Sequence, residues 1–117
     1  MEFQDNMPIY VQIANNIKEQ IISGKLKDGE KIKSVREYSV FYEVTALTMN
    51  RAMQLLETEG VVQTKKGVGS FITAGVQPVL KTKMIGAQVQ EFIYRMRNMD
   101  IPKADILHLI QEALAND

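Results

Sequence analysis

Apolar residues recur at helical spacing in several stretches of this chain, separated by turn-forming residues and two short β-branched runs. Ile9, Ile13, Ile17 and Ile21 repeat every fourth position, with Ala14 and Ile22 widening the stripe. This pattern predicts a helix with one face turned to a core. Met7-Pro8 opens it, because proline in the first turn gives up an N–H that has no partner there anyway, and Gly24 closes it. Lys25 to Glu30 carries an Asp-Gly pair and reads as a turn leading into a short extended piece around Lys31-Ile32. Two more helical patterns follow. In the first, Ser34-Val35-Arg36-Glu37 is a capping box, in which serine and glutamate each satisfy a free backbone N–H. Val35, Tyr38 and either Phe41 or Tyr42 continue its apolar side. The second has Thr45 as N-cap, a stripe of Met49, Ala52, Met53 and Leu56, and Gly60 as its stop.

Two short helices joined across Glu43-Val44-Thr45 suit a helix-turn-helix, whose second helix can enter a DNA major groove. A helical hairpin that only fills a core has the same periodicity, so the flanks must discriminate. Residues 61–64 and 70–73 are β-branched and aromatic, and Lys65-Lys66-Gly67-Val68-Gly69 joins them as a hairpin with a basic, glycine-rich tip. A winged helix-turn-helix needs such a wing. The Gly-x-Gly at the tip opens a strand and lacks a following Gly-Lys-Ser/Thr or a third glycine, so it is no nucleotide-phosphate loop. Ala74 to Leu80, with Gly75 and Pro78, reads as a linker. Beyond it, Ile85, Val89, Phe92, Ile93 and Met96 share one helical face, Asn98 to Pro102 breaks the pattern, and Ile106, Leu107, Ile110, Ala113 and Leu114 share another. Two helices alone cannot bury both stripes. The stripes must pack on the winged domain or on a second copy, and the second copy is the expected partner. The expected fold is therefore α+β, mainly α: a winged helix-turn-helix over residues 1–75 and a helical hairpin over 76–117 that carries a homodimer interface of Ile85, Val89, Phe92, Ile93, Met96, Ile106, Leu107, Ile110 and Leu114.

Composition adjusts this picture modestly. An apolar content of 45% over 117 residues supports one compact domain and a small appendage. No apolar run is long enough to span a bilayer, and the first ten residues have neither a basic start nor an apolar core, so a cytoplasmic protein without membrane contact is expected. Cysteine is absent, which excludes disulfides and thiolate metal sites. The 14 basic and 14 acidic residues cancel, which speaks against a generally basic nucleic-acid binder, but phosphate contacts depend on local charge. Lys31, Lys33 and Arg36 cluster before the paired helices, and residues 61–90 hold Lys65, Lys66, Lys81 and Lys83 without an acid. Scattered lysines are equally compatible with an ordinary solvated surface. The single histidine, His108, lies between leucines on the last helix with no metal-ligand cluster around it, so neither an enzyme nor a cofactor is expected. A metabolite-binding module would need more than the 42 residues after the wing to enclose a ligand, unless two copies shared one. A protein-binding winged helix would not need Arg36, Lys65 and Lys66 on one side.

The residues Pro8-Ile9-Tyr10-Val11-Gln12-Ile13, Gly24-Lys25-Leu26, Ser34-Val35-Arg36-Glu37, Thr48, Arg51-Ala52, Leu55-Leu56-Glu57, Gly60 and Lys66-Gly67-Val68-Gly69-Ser70-Phe71 occur in the order and spacing of a known family. Residues 8–73 resemble the winged helix-turn-helix of GntR-family bacterial transcription regulators, and the short tail resembles the YtrA-type subfamily. The resemblance implies a homodimer that binds double-stranded DNA at a pseudo-palindromic operator, with repression as the expected sign and the effector open. It places DNA contact at Arg36, at Thr45, Ala46, Leu47 and Asn50 on the recognition helix, and at Lys66 and Gly67 on the wing. Ser34, Thr48 and Arg51 in the same motifs, and Lys65 beside the wing motif, complete the expected DNA-binding set. Two departures from the family pattern stand out. Lys33 replaces a proline before Ser34, adding a phosphate contact and losing a rigid lead-in. Ala46 and Leu47 stand where many members carry polar residues, which favours thymine methyls over bidentate guanine reading.

Overall fold

The isoleucine ladder of the first helix seats the interior. The computed structural model covers residues 1–117 and orders them as α1 (Ile9–Ile22), α2 (Val35–Tyr42), α3 (Ala46–Thr58), β1 (Val62–Lys65), β2 (Gly69–Ile72), α4 (Val76–Asn98) and α5 (Lys103–Ala115). The chain divides into two compact units, Met1–Lys81 and Thr82–Asp117.

In the first unit, Ile13, Ala14, Ile17 and Ile21 of α1 are buried with Met49, Ala52, Met53 and Leu56 of α3. Tyr38 and Tyr42 close the α2 side, and Val61, Val62 and Ile72 close the sheet side. Ile9, aligned with the ladder in sequence, lies in the first turn beyond the core and is 42% exposed. Between Phe41 and Tyr42 the core takes Tyr42, whose hydroxyl donates to Asn16 Oδ1 at 2.7 Å; Phe41 stays outside. Gln12 is the buried polar side chain of α1. Its amide accepts from the Gln4 N–H and donates to the Gln4 and Met7 carbonyls, each at 2.8 Å, fastening the residues before the helix.

The capping box forms as expected. Ser34 Oγ accepts the Glu37 N–H, and Glu37 Oε1 accepts the Ser34 N–H, both at 3.1 Å. Glu43 ends α2 in the left-handed region at φ 56°, which turns the chain sharply enough for Thr45 to cap α3 two residues later.

The wing is a two-stranded antiparallel sheet pairing Val62 with Ile72, Gln63 with Phe71, Thr64 with Ser70 and Lys65 with Gly69. The extended piece at Lys31-Ile32 is only a single bridge to Phe71. The Asp28-Gly29 turn and the Ser34 cap lie too close together for a longer strand. Lys31 runs across the wing at Gly69, where a β-carbon would come within 2.6 Å of Lys31 Cε.

The expected linker over residues 74–80 is corrected by the structure. α4 begins at Val76, and Pro78 sits in its first turn, where a missing N–H breaks no helical bond. Gln77 donates to the Ile22 carbonyl at 3.0 Å, and Leu80 is buried in the core. Only Thr73, Ala74 and Gly75 separate wing from helix, and the Gly75 N–H is held by Asp28 Oδ2 at 2.7 Å. The first unit therefore includes residues 76–81, which the sequence reading assigned to the tail.

In the second unit, α4 runs on to Asn98, with Arg95 and Arg97 in its last turn where cations suit the helix dipole. Asp100 at φ 57° makes the bend into α5. Ile106 is buried, yet Ile85, Val89, Phe92, Leu107, Ile110 and Leu114 are exposed. Val89, Phe92, Ile93, Ile106, Leu107 and Ile110 line an open, almost wholly apolar groove of about 300 Å³, with Arg97 and Lys103 beside it.

Candidate nucleic-acid interface

The buried stripe of α3 determines which residues it offers outward. With Met49, Ala52, Met53 and Leu56 facing α1 and α2, the opposite face carries Ala46, Leu47, Asn50, Arg51 and Gln54, all exposed. Leu47 is 64% exposed and so free to meet an apolar group on a partner. Thr45 and Thr48 are occupied with each other. Thr45 Oγ1 accepts the Thr48 N–H at 3.2 Å, and the two hydroxyls lie 3.1 Å apart. Thr48 is half-buried, so its part is to shape the start of α3 and Thr45's is to cap it.

Arg36 projects from the first turn of α2. No carboxylate pairs with it, neither Glu37 nor Glu43; the salt bridges present join Lys18 to Glu59 and Arg95 to Glu91. Glu37 is engaged instead by Ser34, whose backbone N–H and hydroxyl, helped by Lys33, hold its carboxyl below the ordinary range. Arg51 has no acidic partner either: neither Glu57 nor Asp28 pairs with it. Glu57 accepts the Thr64 hydroxyl, while Asp28 binds Gly75.

Two of the lysines, Lys33 and Lys65, rest on aromatic rings. Lys33 Nζ lies 5.2 Å from the Phe41 centroid and 5.7 Å from that of Tyr38, and Lys65 Nζ lies 4.9 Å from that of Phe71. Such cation–π seats orient the ammonium groups and leave them exposed to an anion. Lys66 and Gly67 occupy the turn between the strands, where Gly67 takes φ 77° and the Val68 N–H bonds to the Lys65 carbonyl at 2.9 Å. Ser34, occupied by its capping role, is exposed beside Lys33.

An open cleft of about 390 Å³ separates α3 from the wing. Val35, Asn50, Met53, Gln54, Glu57, Thr64 and Ser70 line it. Two residues with a place in this surface escaped the sequence reading of the site. Gln54 is four residues from Asn50 and seven from Leu47, a spacing that marks the same helical face. Lys31 was visible only as part of a basic cluster, because nothing local announces that it crosses Gly69. The tail residues Ile85, Val89, Phe92, Ile93, Met96, Ile106, Leu107, Ile110 and Leu114 all lie outside this surface, in the second unit. His108 is exposed there, 3.3 Å from Glu112.

Comparison with known proteins agrees with this architecture. The family described as Bacterial regulatory proteins, gntR family, matches residues 9–72. The HTH-type transcriptional regulator YhcF of Bacillus subtilis (strain 168) is 32% identical over 112 residues, covering 94% of this chain and 93% of that protein. The HTH-type transcriptional repressor YtrA of the same organism is 33% identical over 93 residues, covering 77% of this chain and 72% of that protein. The structure of a GntR family transcriptional regulator from Listeria monocytogenes superimposes with a TM-score of 0.88 at 30% identity, covering 94% of this chain and 98% of that one. On the strength of a family match across the helix-turn-helix and wing, and of relatives that share the short tail, the chain belongs to the GntR family of bacterial regulatory proteins, in its YtrA-type branch, and is a DNA-binding transcription regulator.

Proposed function

We propose that this regulator works as a homodimer, residues 1–81 reading DNA and residues 82–117 joining the copies, and that it represses transcription from a pseudo-palindromic operator in the bacterial cytoplasm. Arg36, Lys33, Lys65 and Lys66 contact phosphates, Ala46, Leu47 and Asn50 meet base edges, and Gly67 lets the wing tip approach a groove. Ser34, Thr45 and Thr48 hold the two helices in place for that contact, and Arg51 adds a phosphate contact. No catalytic step or cofactor enters this reading. Repression is the printed role of the Bacillus subtilis YtrA relative and comes here by that likeness.

The single observation behind the dimer is the unpartnered apolar face of the second unit. Val89, Phe92, Leu107 and Ile110 are 49%, 38%, 59% and 37% exposed around an apolar groove. A monomer with such a face would bear a patch that soluble proteins seldom leave open. A second copy is the occupant that also doubles the number of recognition helices. The test is light scattering on the full chain and on Phe92→Glu/Ile110→Glu. The intact protein should scatter as a dimer at micromolar concentration, and the double variant as a monomer with an unchanged melting curve for the first unit. An intact protein that scatters as a monomer refutes the reading.

A further inference from the structure

The recognition helix has a cleft on each side, and on the side away from the wing only Arg51 has so far been given a role. On the other side, Tyr10 of α1 and Arg51, Gln54, Leu55 and Thr58 of α3 line an open cleft of about 340 Å³. Gln54 lines both clefts, so the outermost row of α3 is the ridge between them. The lining contains one cation, a phenol, an amide and a hydroxyl, and no acid. Arg51 is exposed and free of any ion pair, and Tyr10 packs against the core, which fixes where its ring lies. The wing-side cleft differs in holding Glu57 and no cation of its own.

A helix with its side chains is about 10–12 Å across and the major groove about 12 Å wide, so a helix in the groove has a sugar-phosphate strand along each flank. Cations from α2 and the wing serve one flank. We infer that the Tyr10–Arg51 cleft receives a backbone phosphate of the strand on the other flank, with Arg51 supplying charge, the Tyr10 hydroxyl a hydrogen bond, and Gln54 the ridge that sets how deep α3 seats. This rests on α3 being the helix that enters the groove. It adds Tyr10 to the interface, gives Gln54 a seating role and locates the Arg51 phosphate contact on this flank. Because a phosphate is the same at every step, this flank tightens binding without altering which sequence is preferred.

Ethylation interference on a 40-bp duplex selected from a random pool tests it, using the full chain, Arg51→Ala, Tyr10→Phe and Lys66→Ala, each first checked for an unchanged melting temperature. The intact protein should show two groups of essential phosphates per half-site, on opposite strands. Arg51→Ala should erase one group and Lys66→Ala the other. Arg51→Ala should also lower the slope of log affinity against log salt by about 0.9 for each lost contact and weaken binding on the order of tenfold. Tyr10→Phe should weaken binding several-fold with the slope unchanged, since a neutral donor releases no counterion. If Lys66→Ala loses its group while Arg51→Ala and Tyr10→Phe keep the full footprint, the inference is wrong and the DNA-reading surface stands. If no duplex recovered from the pool is bound in preference to random DNA, the reading beneath it fails as well.

Discussion

At the scale of single residues, the surface separates side chains that supply charge from one that supplies shape. Arg36 is exposed and unpaired on the first turn of α2, so its loss removes an interaction only when DNA is present. Arg36→Ala is expected to cost about 1–3 kcal/mol of DNA binding with no change in melting temperature, measured by anisotropy alongside thermal unfolding. Leu47→Ala is expected to change which sequences are preferred more than it changes mean affinity, because an apolar contact to a thymine methyl distinguishes bases and a phosphate does not. Equal losses on every probe would show that Leu47 reads nothing. Beneath this surface, burial pushes the Tyr38 phenol up to about 12 from its ordinary value of 10.0, with Tyr42 and Glu30 adding to the effect, and Tyr42 is raised by burial too. In the unfolded chain Tyr38 ionises near 10, while in the fold it keeps its proton, so its contribution is complete below pH 10 and fades as the pH rises towards 12. Denaturant unfolding between pH 8 and pH 11.5 should therefore show falling stability, and Tyr38→Phe should flatten that fall. Parallel curves for the two proteins would contradict the burial argument.

At the scale of elements, what the chain's own pattern reveals depends on how local the cause is. The core faces of α1 and α3, the capping box at Ser34 and the hairpin around Gly67 each follow from residues a few positions apart, and all were legible. The start of α4 was not. Gly75 and Pro78 look like linker residues until one sees that Pro78 falls in the first turn and that Leu80 has a core waiting for it, and that core is built by residues from 13 to 72. The choice of Tyr42 over Phe41 likewise depends on Asn16, 26 residues away. The exposed residues of α3 were legible as the complement of its buried stripe, whereas the place of Tyr10 was not, since only the packing of α1 against α3 brings it beside Arg51. Two substitutions test these elements. Leu80→Ala should cost about 2–3 kcal/mol of first-unit stability, less than a fully enclosed leucine can lose, because α4 lies at the edge of the core. Glu43→Gly should stabilise by about 0.5–1 kcal/mol, since glycine adopts φ 56° without the clash a β-carbon brings. Urea unfolding of both variants decides, and a destabilised Glu43→Gly would mean the glutamate side chain earns its place by a contact absent from this structure.

For the whole molecule, the question is how a surface with so few cations can hold a specific site. The net charge of zero leaves no broad field to bind DNA loosely, so affinity must come from a small number of placed contacts. One copy of the first unit offers Lys33, Arg36, Arg51, Lys65 and Lys66, and the proposed dimer would offer the set twice. Joining also makes the second contact intramolecular, at an effective concentration in the millimolar range for a short connection. If one unit binds a half-site at about 10 μM, that concentration implies about a hundredfold gain for the pair. The comparison needs a chain of residues 1–81, because stopping at Gly75 would strip Leu80 and Gln77 from the core and confuse folding with assembly. On a duplex holding one half-site, the shortened and full chains should bind within a few-fold of each other. On a duplex holding both, the full chain should bind about a hundredfold more tightly, and the advantage should vanish when the half-sites are moved apart by half a helical turn, which puts them on opposite sides of the DNA. A full chain with no advantage on the double site, or one indifferent to the half-turn shift, would mean that the tail does not couple two DNA-reading units.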